Sequence, residues 1–92
     1  MNQKEAYAQK LQIQLDEFGA EIDRLKARAD KAEEPWHQQQ IEVVQEKHRQ
    51  AKRKLGELRD AGDDAWEDMK DGISTAWNAV GNALKTAAKR FE

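Results

Sequence analysis

The sequence predicts an all-α protein, in which one long coiled-coil helix is followed by a shorter antiparallel amphipathic helix. Residues with high helix propensity dominate the 92 positions, and the chain contains a single proline. Apolar residues recur every three or four positions along most of the chain, which is the spacing of one helix face. A turn signal at 61–64 separates the long periodic stretch from the last one. We therefore expect a single domain, with residues 1–60 forming the long helix and 61–92 packing back on 32–60.

The first helix is predicted to begin near Asn2, because Asn2 and Glu5 approximate a capping box. The apolar seam that follows advances by three or four residues at each step. Its members are Tyr7, Leu11, Leu15, Phe18, Ile22, Leu25, Ala29, Ala32 and Trp36. This heptad-like spacing is typical of a left-handed coiled coil.

The seam changes register at Pro35. Beyond it, the positions on one helix stripe are Ile41, Val44, His48, Ala51, Leu55 and Leu58. A proline inside a helix costs about 3 kcal/mol and disfavours helical geometry in the residue before it. We expect a break near 34–37, and the sequence leaves open whether Pro35 bends the long helix or divides it.

The last helix is predicted to follow Gly62, which fits the left-handed residue beyond a helix end, with Asp64 and Glu67 as its capping box. Acidic residues crowd its start and basic residues its end, as the helix dipole prefers. A reversal at this turn lays the acidic start along the basic run 47–59. The expected hairpin core is Trp36, Ile41, Val44, Ala51, Leu55, Leu58, Trp66, Met69, Ile73, Trp77, Val80, Leu84 and Phe91.

A hairpin of this kind leaves residues 1 to about 31 without a partner in the same chain, an overhang of roughly 45 Å. An apolar strip of that length is expected to be covered by another copy. We predict an antiparallel homodimer, in which each overhang packs on the other overhang or into the second hairpin; a parallel dimer or a tetramer stays open. The predicted self-association residues are Leu11, Leu15, Phe18, Ile22 and Leu25.

Three segments resemble a family of small bacterial coiled-coil proteins that are commonly described as stress-response proteins. They are the opening KEAYAQKLQIQLDEFGAEIDRLKARADKAE, the turn region LGELRDAGDDAWEDMKDGI and the end AWNAVGNALKTAAKRFE, which together span nearly the whole chain. The block 61–68 and the closing Arg90 and Phe91 are the most specific parts. The resemblance implies a cytoplasmic, all-helical protein without enzymatic chemistry, and a continuous first helix from which Pro35 departs.

No catalytic, cofactor or metal site is predicted. His37 and His48 lie about 16 Å apart along one helix, too far for a shared metal ion. Carboxylate pairs such as Asp63 and Asp64 are adjacent in sequence and do not face a common pocket. The basic run 47–54 lacks the interleaved aromatic residues that stack on nucleic-acid bases, and the net charge is -2. We expect a protein that does not bind nucleic acid.

Composition adds expectations about location and partners. The chain has no cysteine, no apolar secretory core near its start and no run of about 20 apolar residues, so we expect a cytoplasmic protein. The favoured function is a non-enzymatic, self-associating, stress-linked scaffold or accessory protein. The alternative is a protein whose last helix, with Trp66, Trp77 and Phe91 on its stripe, reversibly coats a membrane or a lipid granule.

Overall fold

The computed structural model describes residues 2–32 and 35–90, which form three α-helices and no strand. Helix α1 spans Gln3–Ala32, α2 spans Pro35–Asp60 and α3 spans Lys70–Arg90. A short 3₁₀ helix, Trp66–Met69, leads directly into α3. The all-α fold class is thus confirmed.

Helix α1 starts where the sequence predicts. The backbone N–H of Glu5 donates to Asn2 Oδ1 at 2.8 Å, and the Asn2 side-chain amide contacts Glu5 Oε1 at 3.4 Å. The first of these bonds satisfies a backbone donor that has no partner within the helix.

Helix α2 begins at Pro35, two residues after α1 ends at Ala32. Proline suits a first helical position, because its missing N–H would have no acceptor there and its backbone angle already matches the helix. The break that was expected near 34–37 is a reversal of the chain. Residue pairs 12 and 59, 15 and 48, and 30 and 38 are in contact, so α1 lies antiparallel along α2.

The three helices form a closed bundle of 48 × 20 × 18 Å. A 30-residue helix is about 45 Å long, whereas an unbroken helix over 1–60 would reach about 90 Å. The long dimension therefore corresponds to one helix. Helix α3 packs antiparallel on α2 as expected, and its interface with α1 is much smaller than its interface with α2.

The overhang expected for the first third is not formed. Leu11, Leu15, Ile22 and Leu25 are at most 5% exposed, and they share one core with residues of α2 and α3. Phe18 is half-buried and packs against that core. The physical reason is the two-residue connection, which returns α2 along α1 so that the seam finds its partner in its own chain.

The rest of the expected core is largely inside the bundle. Met69 is half-buried, and Trp36 and Phe91 lie outside the part of the chain whose side chains the structure describes. The buried members are Ile41, Val44, Ala51, Leu55, Leu58, Trp66, Ile73, Trp77, Val80 and Leu84. Three further alanines, Ala8, Ala29 and Ala87, join them.

The turn between α2 and α3 differs from the prediction in its details. Gly62 does not adopt a left-handed backbone conformation. The 3₁₀ helix has Ala65 as its N-cap and no side-chain cap, so the predicted Asp64 and Glu67 capping box is wrong. The backbone N–H groups of Ala65 and Trp66 both donate to the Gly62 carbonyl, and this tight turn replaces the expected cap.

Candidate functional site

The interface between α1 and α2 is tied by polar contacts along its length. Lys4 Nζ donates to the Ala61 carbonyl just beyond α2, and Arg59 donates to Gln12 Oε1 at 3.2 Å. Gln38 donates to Asp30 near the other end. Sequence reasoning missed these cross-links because it placed the two helices end to end.

His48 supplies a further cross-link from the middle of α2. Its Nε2 lies 3.0 Å from the carbonyl oxygen of Leu15 on α1. A carbonyl can only accept, so Nε2 carries a proton in this bond. The histidine expected on the apolar stripe is therefore a half-buried polar contact between helices.

Replacing His48 by alanine is expected to lower the free energy of unfolding by about 1 kcal/mol, the usual net value of one hydrogen bond, plus some lost packing. Chemical denaturation followed by circular dichroism measures the change. Arg49→Ala is the control, because the ion pair of Arg49 with Glu46 is exposed and lies within α2. Equal stabilities of the two variants would show that the His48 contact contributes nothing.

An aromatic cluster joins the start of α1 to the start of α3. The rings of Tyr7 and Trp66 are 5.8 Å apart between centroids and inclined by 40°. Lys70 Nζ lies over both rings, 4.4 Å from the centroid of Trp66 and 5.6 Å from that of Tyr7. Burial raises the pKa of the Tyr7 hydroxyl above its ordinary value. Cation–π contact and aromatic packing together fix the first turn of α3 against α1.

Beyond its first turn, α3 is held by buried apolar side chains and not by the aromatic cluster. Its buried residues are Ile73, Trp77, Val80, Leu84 and Ala87. The indole N–H of Trp77 is buried without a hydrogen-bond partner. A groove of about 330 Å³ separates this part of α3 from α1, and Trp77, Phe18, Asn78 and Lys85 are among the residues that line it. An unpartnered buried donor costs about 1–3 kcal/mol, and among the described residues Trp77 on α3 carries this cost whereas no side chain between α1 and α2 does.

The exterior offers little apolar surface. Ile13 on α1 is 55% exposed and Val43 on α2 is 48% exposed, and they are the large apolar side chains exposed among the described residues. Two bases of the run 47–59 pair locally, Arg49 with Glu46 and Lys54 with Glu57, and no ion pair between described residues joins the run to the acidic start of the last helix. That expected charge pairing is corrected, because acids one helical turn away on α2 are nearer partners.

The described residues contain no cluster of three or more His, Cys, Asp or Glu side chains able to hold a metal ion. Within residues 2–32 and 35–90, no helix is both long and apolar enough to cross a membrane. Comparison of the chain with family models, with curated proteins and with solved structures finds no match. The interfaces between the helices of this chain are therefore the structural features that bear on its function.

Proposed function

We propose that this chain is a non-enzymatic helical protein that acts by self-association, as a scaffold or accessory protein in the bacterial cytoplasm. The link to stress is part of the proposal and is supported by the sequence resemblance alone. A rise in the amount of the protein after heat, osmotic or oxidative stress would support that link, and a constant amount under all three would count against it.

One observation carries the self-association. The α1 seam lies on α2 and α3, and only two residues connect α1 to α2. If that connection opens, α1 of one copy can make the same contacts on α2 and α3 of another copy. We call this arrangement helix exchange. It needs no new interface, which makes exchange of an identical element a low-cost route to dimers.

In helix exchange, the residues of the predicted self-association seam form the contact between two chains, as the sequence predicts. Leu11, Leu15, Ile22 and Leu25 are then buried between chains instead of within one. A short connection between two packed elements favours such exchange. The extent of association depends on protein concentration, since each dimer forms from two closed bundles.

The first measurement is molar mass by light scattering over a range of concentrations. A mass that rises from one chain to two supports self-association, and a single-chain mass at every concentration rejects it. The chain has no cysteine, so cysteines can be introduced at chosen positions without interference.

A cross-linking experiment then distinguishes helix exchange from other modes of association. Gln12→Cys and Arg59→Cys are made in separate, differently tagged chains, which are mixed at high concentration and treated with a short bis-maleimide. Because Gln12 and Arg59 are in contact across α1 and α2, exchange should give a cross-linked pair of chains. Ala20→Cys is the matched control, since Ala20 is exposed on α1 and should give no such product with Arg59→Cys. A dimeric mass without the specific cross-link would assign the association to another surface.

A further inference from the structure

Helix α3 has a different chemical character from α1 and α2. Between Gly72 and Leu84 it contains no charged residue, whereas α1 and α2 carry charges in nearly every turn. The exposed polar positions of this stretch are small and neutral, namely Ser74, Thr75, Asn78 and Asn82. The opposite face is bulky and apolar, with Ile73, Trp77, Val80 and Leu84. The stretch 72–84 thus combines a bulky apolar face with a neutral polar face.

The contacts of α3 allow it to separate from the other helices. From residue 73 to residue 89, the described side chains make no hydrogen bond or ion pair with α1 or α2. The four polar cross-links described above all join α1 to α2 or to the turn just after it. The two ends of α3 are the exceptions, because Lys70 is held over Tyr7 and Trp66 and Arg90 makes a contact of its own. Between its two ends, α3 is thus held on the bundle by apolar contacts alone, whereas α1 and α2 are joined by apolar contacts and polar cross-links.

Trp77 gives an independent reason for α3 to separate. Its N–H is buried without a partner in the closed bundle. At a lipid–water boundary an indole ring lies among acyl chains while its N–H reaches water or lipid carbonyl groups. At such a boundary, the indole N–H of Trp77 therefore gains a hydrogen bond that it lacks in the closed bundle.

We propose that α3 is a releasable helix that binds a lipid surface with packing defects, such as a strongly curved neutral membrane. Release exposes the apolar face of 73–84, and insertion of that face into gaps between lipids covers it again. The neutral polar face provides no attraction to anionic headgroups along this stretch. Binding should therefore depend on curvature and little on salt, and it does not require exchange of α1.

Flotation with vesicles tests this proposal. Small sonicated and large extruded vesicles, both of dioleoyl phosphatidylcholine, are compared at low and high salt. We expect binding to the small vesicles to exceed binding to the large ones by about tenfold per unit of lipid, with little change on adding salt. A variant with Trp36→Phe and Trp66→Phe leaves Trp77 as the only tryptophan, and its emission should shift to the blue and be quenched by brominated lipid.

Two controls make the experiment decisive. Val43→Cys and Ala83→Cys line one groove between α2 and α3, and a reducible bis-thiosulfonate linker between them should abolish binding until reductant is added. Ile13→Gln with Val43→Gln removes the exposed apolar residues and should leave binding unchanged. The proposal is overturned if the linked protein floats as well as the reduced one, if the glutamine variant fails to float, or if binding to the small vesicles disappears in high salt. Equal binding to small and large vesicles would also reject it.

Discussion

Leu15→Glu is expected to unfold the protein, whereas Ile13→Glu, two positions earlier on the same helix, should leave it folded. Leu15 is 3% exposed and lies in the shared core, while Ile13 is 55% exposed. A buried, unpaired carboxylate costs several kcal/mol, and the lost leucine contacts add to that. A chain of 92 residues has about 5–14 kcal/mol of stability in total, at 0.05–0.15 kcal/mol per residue.

Circular dichroism and thermal melting measure the difference between the two variants. Both substitutions place the same residue in the same helix, so helix propensity and charge cancel in the comparison. The loss of structure in Leu15→Glu should be the same at low and high protein concentration, because the seam is buried within one chain. A Leu15→Glu protein that melts like Ile13→Glu would contradict the packing of α1. A Leu15→Glu protein that stays helical but changes from a dimer to a single chain would instead support the overhang expected from the sequence.

Much of the architecture could be predicted from local patterns. The apolar spacing gave the helical segments, the stripe of each helix and the antiparallel packing of α3 on α2, because these depend on residues within a few turns of each other. Asn2 and Glu5 likewise marked the start of α1. Such local signals are strong because each one reflects a single helix face or a single helix end.

The position of α1 could not be predicted in this way. The spacing of Leu11, Leu15 and Ile22 shows that the seam is covered, but an intramolecular and an intermolecular partner bury it equally well. Pro35 was the relevant signal, since it is tolerated best at a first helical position. No Gly, Asn or Ser stands beside Pro35 to signal a turn, yet two connecting residues are sufficient for the reversal.

The candidate surfaces were harder to derive than the core. The contacts of Lys4, Arg59 and His48 depend on which helices are neighbours, so they follow only once the bundle is known. The buried N–H of Trp77 is of the same kind, because the apolar stripe predicts burial of the ring but not the lack of an acceptor. Burial of Ala8 does follow from the sequence, because Ala8 lies three residues before Leu11 on the same helix face.

Pro35→Ala is expected to shift the protein toward helix exchange. In an exchanged dimer, α1 and α2 of one chain can join into a single long helix, and Pro35 would then lie in its interior. Proline costs about 3 kcal/mol more than alanine in that position, which corresponds to roughly a hundredfold in the equilibrium constant for each chain. The closed bundle gains nothing comparable from the substitution, because a first helical position accepts proline without strain.

Light scattering and small-angle X-ray scattering test this expectation together. The variant should become dimeric at concentrations where the natural chain is a single copy, and its largest dimension should rise from 48 Å toward about 90 Å for a 60-residue helix. Adding two glycines between residues 33 and 34 of the variant is the control, because they disfavour a continuous helix and lengthen the connection between α1 and α2. That control should return to a compact single chain. If Pro35→Ala alone stays compact and monomeric, the two-residue connection holds the bundle closed without help from proline, and helix exchange loses its physical basis.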